Sequence, residues 1–197
     1  FFYGGGRRDL CLHYSDGERQ HPSADNSAGS LGGGISAGTA TVSNSTIILN
    51  RSDTGGGIHR FGFGTFTVNN TIVAGNTNFA GTTANDISGT LSGGSNNLIG
   101  TGGAGGLSAA NNNILDVADI TTVLETTLAA NGTTINAGAP SAQQPVLTHA
   151  LVTGSPAINV GSNSLAVDVE GNPLTTDQRG LPRIVDTTVD IGSFEVQ

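Results

Sequence analysis

The fold is decided by the stretch Gly32-Gly-Gly-Ile-Ser-Ala-Gly-Thr-Ala-Thr-Val-Ser-Asn-Ser-Thr-Ile-Ile-Leu-Asn50, in which a glycine triplet leads into short apolar segments. The triplet and the Ile after it recur at 55–58, which is 23 residues further along the chain. The segment 42–50 aligns without gaps to 68–76, 26 residues later, and the alignment keeps the apolar positions and two asparagines. A looser third copy runs from 85 to 100. The chain therefore contains an internal repeat of 22 to 26 residues.

A repeat of this length is typical of one coil of a parallel β-helix, in which three strands and three turns complete a circuit. Each coil pairs with the next at a spacing of about 4.8 Å. We expect apolar residues to point inward, Ser and Thr to point outward, and Gly or Asn to occupy left-handed corners. Asn44 with Asn70, and Asn50 with Asn76, would form hydrogen-bonded ladders between coils. A Gly/Asn-rich linker is the alternative, and it is disfavoured because linkers do not repeat apolar positions in register.

The sequence thus predicts an all-β protein, a right-handed parallel β-helix of about three to four coils over 32–115. The glycine triplets 32–34 and 55–57 should stack on each other, and Val42 should lie beside Val68.

Composition limits the partners. The chain has 31 Gly, no Met, no Trp and no Lys, and its seven Arg face fifteen acidic residues, for a formal net charge of −8 and a pI near 4.6. An acidic surface repels phosphate backbones, so we expect no nucleic-acid partner. No run of eighteen apolar residues occurs, so we expect no membrane-spanning helix.

Residues 1–31 are predicted to be an aberrant N-terminal segment. Residues 7–22 hold three of the seven Arg, two of the four His and the single Cys11, and they show no strand alternation. A one-base frame shift explains the contrast, since codons for 9–22 read one base later can encode a Thr-Val-Thr-Val-Ser run like that of the next coil; a divergent loop is the alternative. On either view Cys11, His13 and His21 do not form a site, and further coils are expected upstream.

Residues 116–197 have a different texture, with five of the six Pro lying from Pro140 onward. We interpret this part as an irregular C-terminal cap that covers the open strand edge at the end of the β-helix. A short helical turn is expected around 120–124, and the glycine-rich segment 102–106 is expected to be a flexible connection.

Three spaced motifs lie within the last fifty-one residues. They are Leu147-Thr-His-Ala-Leu151 with Gly154-Ser-Pro-Ala-Ile158, then Asp177-Gln-Arg-Gly-Leu-Pro-Arg183, then Asp190-Ile-Gly-Ser-Phe-Glu195. In this order they resemble the choice-of-anchor Q family of exported bacterial β-helix proteins, and the resemblance covers about 32–197. Asn159 and Ser193 depart mildly from the family pattern, which more often has Asp and Ala there. The resemblance implies export to the cell surface and a β-helix fold, and it implies no known catalytic activity.

The second and third motifs place two arginines and three carboxylates within nineteen residues. We predict that these side chains pair as a structural clasp across the end of the β-helix, because Arg and carboxylate form bidentate hydrogen bonds. The clasp residues are Asp177, Arg179, Arg183, Asp190 and Glu195. A carboxylate cluster for sugar hydrolysis or metal binding is the alternative.

A weak calcium motif is present at Asp168-Val-Glu170-Gly-Asn172, with Asp177 further on. Alternating carboxylates before a glycine are typical of calcium loops. The full twelve-residue pattern is missing, and a turn between two strands explains the same residues. Calcium is therefore the one candidate cofactor, and its predicted ligands are Asp168, Glu170 and Asp177.

The repeat region is poorly equipped for catalysis. Its carboxylates are Asp53 and Asp86, and the chain's tyrosines, Tyr3 and Tyr14, lie in the aberrant segment. His59 and Arg60 with Asp53 form a candidate acid/base or sugar-binding spot, although such residues are more often solvated turn side chains.

We therefore expect no catalytic residues and favour an adhesive scaffold at a bacterial surface that contacts polysaccharide or another surface polymer. A polysaccharide lyase or hydrolase and a calcium-dependent binding module remain as alternatives.

Overall fold

The computed structural model describes residues 22–136 and 143–197 of the chain. Within them, strands in parallel sheets predominate and the helical content is limited to three short 3₁₀ turns, as the predicted all-β class requires. These turns are Ala109–Asn111, Ile120–Thr122 and Asn163–Leu165, the second of which lies where a helical turn was predicted. No helix in the described part of the chain is long and apolar enough to cross a membrane.

Three parallel sheets are built from eleven short strands. Sheet A has the order β1-β4-β7-β10-β11, with bounds Pro22–Ala24, Thr46–Ile48, Ile72–Ala74, Leu98–Gly100 and Ile114–Val117. Sheet B has the order β2-β5-β8, with bounds Ile35–Ala37, Ile58–Arg60 and Ile87–Ser88. Sheet C has the order β3-β6-β9, with bounds Ala40–Ser43, Phe66–Asn69 and Gly93–Ser95. The chain thus visits A, B and C in the same order, and each strand up to β10 pairs with the strand three places later or earlier.

The register follows the repeat seen in the sequence. Val42 lies opposite Val68, as predicted. The glycine triplets also stack as predicted, with Gly34 N donating to Gly56 O at 3.0 Å. A Cβ on Gly33 would lie 2.3 Å from Gly56 O, so no larger residue fits there without movement of the backbone. The triplets are therefore needed because the backbones approach closely at this corner.

Two hydrophobic cores share sheet A. The inner core lies between the three sheets and contains Ile47, Val73 and Ile99, which are paired in register on neighbouring strands of sheet A. Their neighbours Ile48 and Ile72 belong to a second core, on the outer face of the sheet. Because successive residues of a strand point to opposite faces, sheet A is buried on both faces.

The glycine-rich segment 102–106 is packed rather than free. Gly102 O accepts from Asp86 N at 2.7 Å, Gly105 O accepts from Leu91 N at 2.8 Å, and the following Leu107 is buried in the inner core. The segment therefore covers the last strand of sheet B and closes that end of the inner core, which differs from the flexible connection expected from its glycines.

The C-terminal part contains an antiparallel pair, β12 (Ala129–Asn136) and β13 (Gln143–Thr148), and otherwise follows an irregular course. Its buried residues Leu124, Leu151 and Ile191 pack in the second core. The predicted cap at the end of the stack is thus, in large part, a layer along the outer face of sheet A. The predicted start of the cap at residue 116 falls inside β11, which still pairs with β10.

At the other end, β1 pairs in parallel with β4, with Ser23 opposite Ile47. The regular sheet therefore begins earlier than the predicted boundary at residue 31. Residues 1–21, with Cys11, His13, His21 and most of the segment assigned to a frame shift, lie outside the described residues.

Candidate functional site

All five predicted clasp residues are buried and lie together in the C-terminal layer. The first pair joins Arg179 to Asp177, with 2.7 Å between the guanidinium and a carboxylate oxygen. The backbone N–H groups of Arg179 and Glu195 also donate to this carboxylate, at 2.8 and 3.1 Å. The guanidinium of Arg179 lies 3.7 Å from the centre of the Phe194 ring and donates to Asn131 O at 2.8 Å. Arg179 therefore connects the last residues of the chain to strand β12.

The second pair joins Arg183 to Glu195 at 3.0 Å, and both side chains are fully buried. Arg183 also donates to the carbonyl of Gly192 at 2.8 Å and to the side-chain oxygen of Asn44, in the first repeat, at 3.3 Å. The N–H of Asp190 donates to the same Glu195 carboxylate oxygen, also at 3.0 Å. The clasp thus ties the end of the chain to a residue 139 positions earlier.

Charge in the clasp is unbalanced, because three buried carboxylates face two guanidinium groups. Burial raises the pKa of Glu195 to about 7; the charge of Asp190 adds to this effect and that of Arg183 opposes it. Burial also raises the pKa of Asp190, against hydrogen bonds from the N–H groups of Val196 and Asn159. Burial lowers the pKa of Arg183, whereas the surrounding carboxylates raise it. Protonation of one carboxyl group therefore relieves the excess negative charge.

The C-terminal layer is held along the repeats by a row of corner asparagines, Asn44, Asn70 and Asn96. All three have left-handed backbones, with φ of 52°, 46° and 54°. Their side-chain amides donate to Leu165 O, Ser162 O and Val160 O at 3.1, 2.9 and 3.1 Å. Each of three repeats therefore donates one hydrogen bond to the segment 160–165 of the C-terminal layer.

Gly192 completes the contact between the clasp and sheet A. Its φ is 107°, its N–H donates to Asn70 O at 2.9 Å, and a Cβ there would lie 2.9 Å from the hydroxyl oxygen of Thr46. The next residue, Ser193, donates from its N–H and its hydroxyl to that same oxygen, at 3.1 Å each. The third motif of the sequence therefore fits directly onto strand β4.

The predicted ladder of Asn50 and Asn76 is present and ends on a carboxylate. Asn50 donates to the Asn76 side chain at 3.0 Å from its backbone and 3.1 Å from its amide, and Asn76 donates to Asp86 in the same way at 2.9 Å each. The other Asp86 oxygen accepts from Gly102 N at 2.8 Å. Burial raises the pKa of Asp86, while the hydrogen bonds from Asn76 and Gly102 lower it. Asp86 is thus part of the buried ladder, whereas Asp53 is exposed.

The residues of the weak calcium motif lie in different surroundings. Asp168 accepts hydrogen bonds from the N–H groups of Glu170 and Asn172 at 2.8 Å each, and those from Asn172 lower its pKa. Asp177 faces Arg179 in the buried clasp. In residues 22–136 and 143–197 no three His, Cys, Asp or Glu side chains are grouped so that they could hold a metal ion. The structure does not bring the three predicted ligands together, and calcium binding stays a prediction.

The candidate spot at His59 has different partners from those expected. His59 Nδ1 lies 3.2 Å from Ser36 Oγ, and its ring stacks on Phe61 with centres 5.8 Å apart. Arg60 donates to the carbonyl oxygens of the loop that follows it. In the described residues no hydrogen bond or ion pair joins Asp53 to either of them.

The outer faces of sheets B and C carry rows of polar side chains. On sheet B, Ser36, His59 and Ser88 occupy successive strands in register. On sheet C, Thr41 and Thr67 are in register, and their hydroxyl oxygens lie 3.4 Å apart. The faces of these two sheets therefore differ from the apolar outer face of sheet A.

Two exposed aromatic residues, Phe61 and Phe63, were not among the candidate residues predicted from the sequence, which considered Tyr but not Phe. The change in repeat length is a feature of the sequence that could have drawn attention to this connection. The spacing between paired residues is 23 from β2 to β5 but 26 from β3 to β6. The three added residues lie in the connection 61–65, which contains both rings.

Neither a scan against protein-family models nor searches among curated proteins and solved structures found a match to this chain. The resemblance to the choice-of-anchor Q family therefore stays a prediction from its three motifs.

Proposed function

We propose that the chain is a section of a right-handed parallel β-helix, exported by a bacterium and acting as a cell-surface scaffold that contacts polysaccharide or similar polymers. The observation that carries the proposal is the contrast between the sheets. Sheet A is covered on its outer face by the C-terminal layer, whereas sheets B and C present in-register polar rows.

The order of the strands supports a helical course. The chain passes through sheets A, B and C and returns to A with parallel pairing each time. Connections between parallel strands of one sheet are right-handed in nearly all proteins, which is the reason for proposing that hand here. Stacked repeats with left-handed asparagine corners are in keeping with this arrangement.

The polar rows support contact with a polymer rather than with a small molecule. Side chains on neighbouring strands repeat at about 4.8 Å, so hydroxyl and imidazole groups recur along the surface. A long ligand can make several weak contacts with such a row, and their combined effect exceeds each contact alone. The formal net charge of −8 favours neutral polymers over strongly acidic ones.

The clasp fits a structural role in this proposal. Its charged groups are buried and hydrogen-bonded to each other and to the repeats, so they serve to hold the C-terminal layer in place. One oxygen of Asp86 accepts from Asn76 and the other from Gly102 N, which leaves this carboxyl group poorly placed as a general acid or base. The resemblance of the closing motifs to exported bacterial proteins supports the cell-surface location.

A polysaccharide panel tests this function. The purified chain is incubated with neutral and acidic polysaccharides, and co-sedimentation, reducing ends and unsaturated products are followed together. We expect binding to at least one polymer without turnover. Turnover that is abolished by Asp53→Asn or Asp86→Asn would instead establish the enzyme alternative, and the absence of any binding would contradict the scaffold role.

A further inference from the structure

The connection between β5 and β6, residues 61–65, presents two aromatic rings to solvent. Phe61 is 51% exposed, and Phe63 is fully exposed. The equivalent connection one repeat earlier has two residues, 38–39, so the connection that carries the two rings is three residues longer than the repeat requires. Large apolar side chains that are clustered and exposed to water are candidates for a binding surface.

The loop is held in a defined shape. The guanidinium of Arg60 donates to Gly62 O and, at 2.7 Å, to Gly64 O, so one side chain closes the loop from inside. The N–H of Phe61 donates to Ala37 O at 3.2 Å, which fixes the start of the loop to strand β2. A surface fixed before binding loses little conformational entropy when a ligand arrives.

The ring of Phe61 and the neighbouring ring of His59 form an aromatic platform with polar groups at its edge. The rings of His59 and Phe61 are stacked with 27° between their planes, and the hydroxyl of Ser36 lies 3.2 Å from His59 Nδ1. Burial lowers the pKa of His59, so its imidazole is neutral at neutral pH. The platform therefore combines uncharged aromatic faces with hydroxyl and imidazole groups beside them.

We propose that the stacked His59 and Phe61 rings, with Phe63 and Ser36, form a binding site for a neutral polysaccharide, one sugar ring of which packs on the aromatic platform. A sugar ring has apolar C–H faces and a rim of hydroxyl groups, which matches aromatic faces flanked by hydrogen-bonding groups. Arg60 is engaged by the loop carbonyls, so it is not positioned as a partner for a carboxylate or sulfate group of an acidic polymer. This inference rests on the proposed function and names its ligand class and contact residues.

Affinity electrophoresis of the whole chain tests the site. Gels are cast with a neutral polysaccharide (hydroxyethyl cellulose or galactomannan) or an acidic one (alginate or polygalacturonate), and dissociation constants are taken from the retardation. We expect retardation by a neutral polysaccharide, and about 3- to 10-fold weaker binding for Phe61→Ala and for Phe63→Ala, the range given by one aromatic contact. Phe79→Ala is the matched control, because Phe79 is 52% exposed and lies in a different connection.

The outcomes separate this inference from the proposed function. Retardation that is unchanged in Phe61→Ala and Phe63→Ala, or that occurs with acidic polysaccharides alone, overturns the aromatic site and leaves the scaffold role standing. A wild-type chain retarded by no polysaccharide overturns both. Should Phe61→Ala fail to fold, Phe63→Ala decides the matter, because a fully exposed ring is not required by the core.

Discussion

Raising the pH from about 4.5 to about 7 should destabilise this protein, because a buried carboxyl group in the clasp loses its proton over that interval. Burial raises the pKa of Glu195 from its ordinary 4.5 to about 7. Between these values the folded chain binds more protons at this site than the unfolded chain does, so the free energy of unfolding falls as the pH rises. At about 1.4 kcal/mol per pH unit, the contribution of Glu195 over the interval is about 3 kcal/mol.

Urea denaturation followed by circular dichroism, at pH values from about 4 to about 8, measures this dependence. Glu195→Gln keeps the shape of the side chain and an oxygen that accepts from Asp190 N–H and Arg183, but it removes the titration. We expect the variant to lose most of the decline in stability that the wild type shows between about pH 4.5 and about pH 7. Glu170→Gln, at an exposed carboxyl group, is the matched control and should retain the decline.

Two further buried groups contribute with the same sign. Burial also raises the pKa of Asp86 and of Asp190, so a smaller decline should persist in Glu195→Gln. A free energy of unfolding that rises between about pH 4.5 and about pH 7, or a decline of equal size in the wild type and Glu195→Gln, would refute the reasoning.

Three other substitutions test the packing, each by chemical denaturation. Arg183→Ala should lower the free energy of unfolding by about 3–5 kcal/mol, because it removes the guanidinium that faces the buried Glu195 carboxylate and donates to Gly192 O; a loss below about 1 kcal/mol would mean that the pair behaves as an exposed one. Gly33→Ala should destabilise the fold, since its Cβ would lie 2.3 Å from a carbonyl oxygen, whereas Gly29→Ala, with open space around it, should have little effect. Phe66→Ala should cost about 3–5 kcal/mol because the ring is fully buried, while Phe63→Ala should cost less than about 0.5 kcal/mol; equal losses would contradict this assignment of core and surface.

The internal repeat was sufficient to predict several contacts of the folded chain. The alignment of 42–50 with 68–76 was enough to predict parallel pairing of Val42 with Val68 and the Asn50–Asn76 ladder, because stacked repeats place equivalent residues side by side. The same logic missed the end of the ladder, where the carboxylate of Asp86 replaces an asparagine. Asp86 lies directly before β8, at the position that Gly57 occupies one repeat earlier, so an alignment of equivalent positions does not bring it to Asn76.

The clasp was predictable in its members and not in its pairing. Charge and spacing indicated that Arg179 and Arg183 would meet carboxylates, but two arginines and three acids allow several pairings. The folded chain selects Asp177 for Arg179 and Glu195 for Arg183. The first pair is local, since Arg179 and Asp177 are two residues apart, whereas the second joins residues twelve positions apart and depends on how the last residues fold back.

The sequence by itself determined the strands, the direction of their pairing and the glycine corners, because these depend on contacts between equivalent positions one repeat apart. The tertiary structure alone decided where the C-terminal part lies. Adjacent apolar residues such as Ile47 and Ile48 were a hint that sheet A is buried on both faces. The partner of its outer face is set by bonds such as that from Asn70 to Ser162 O, across 92 residues, and no local period encodes a contact at that separation.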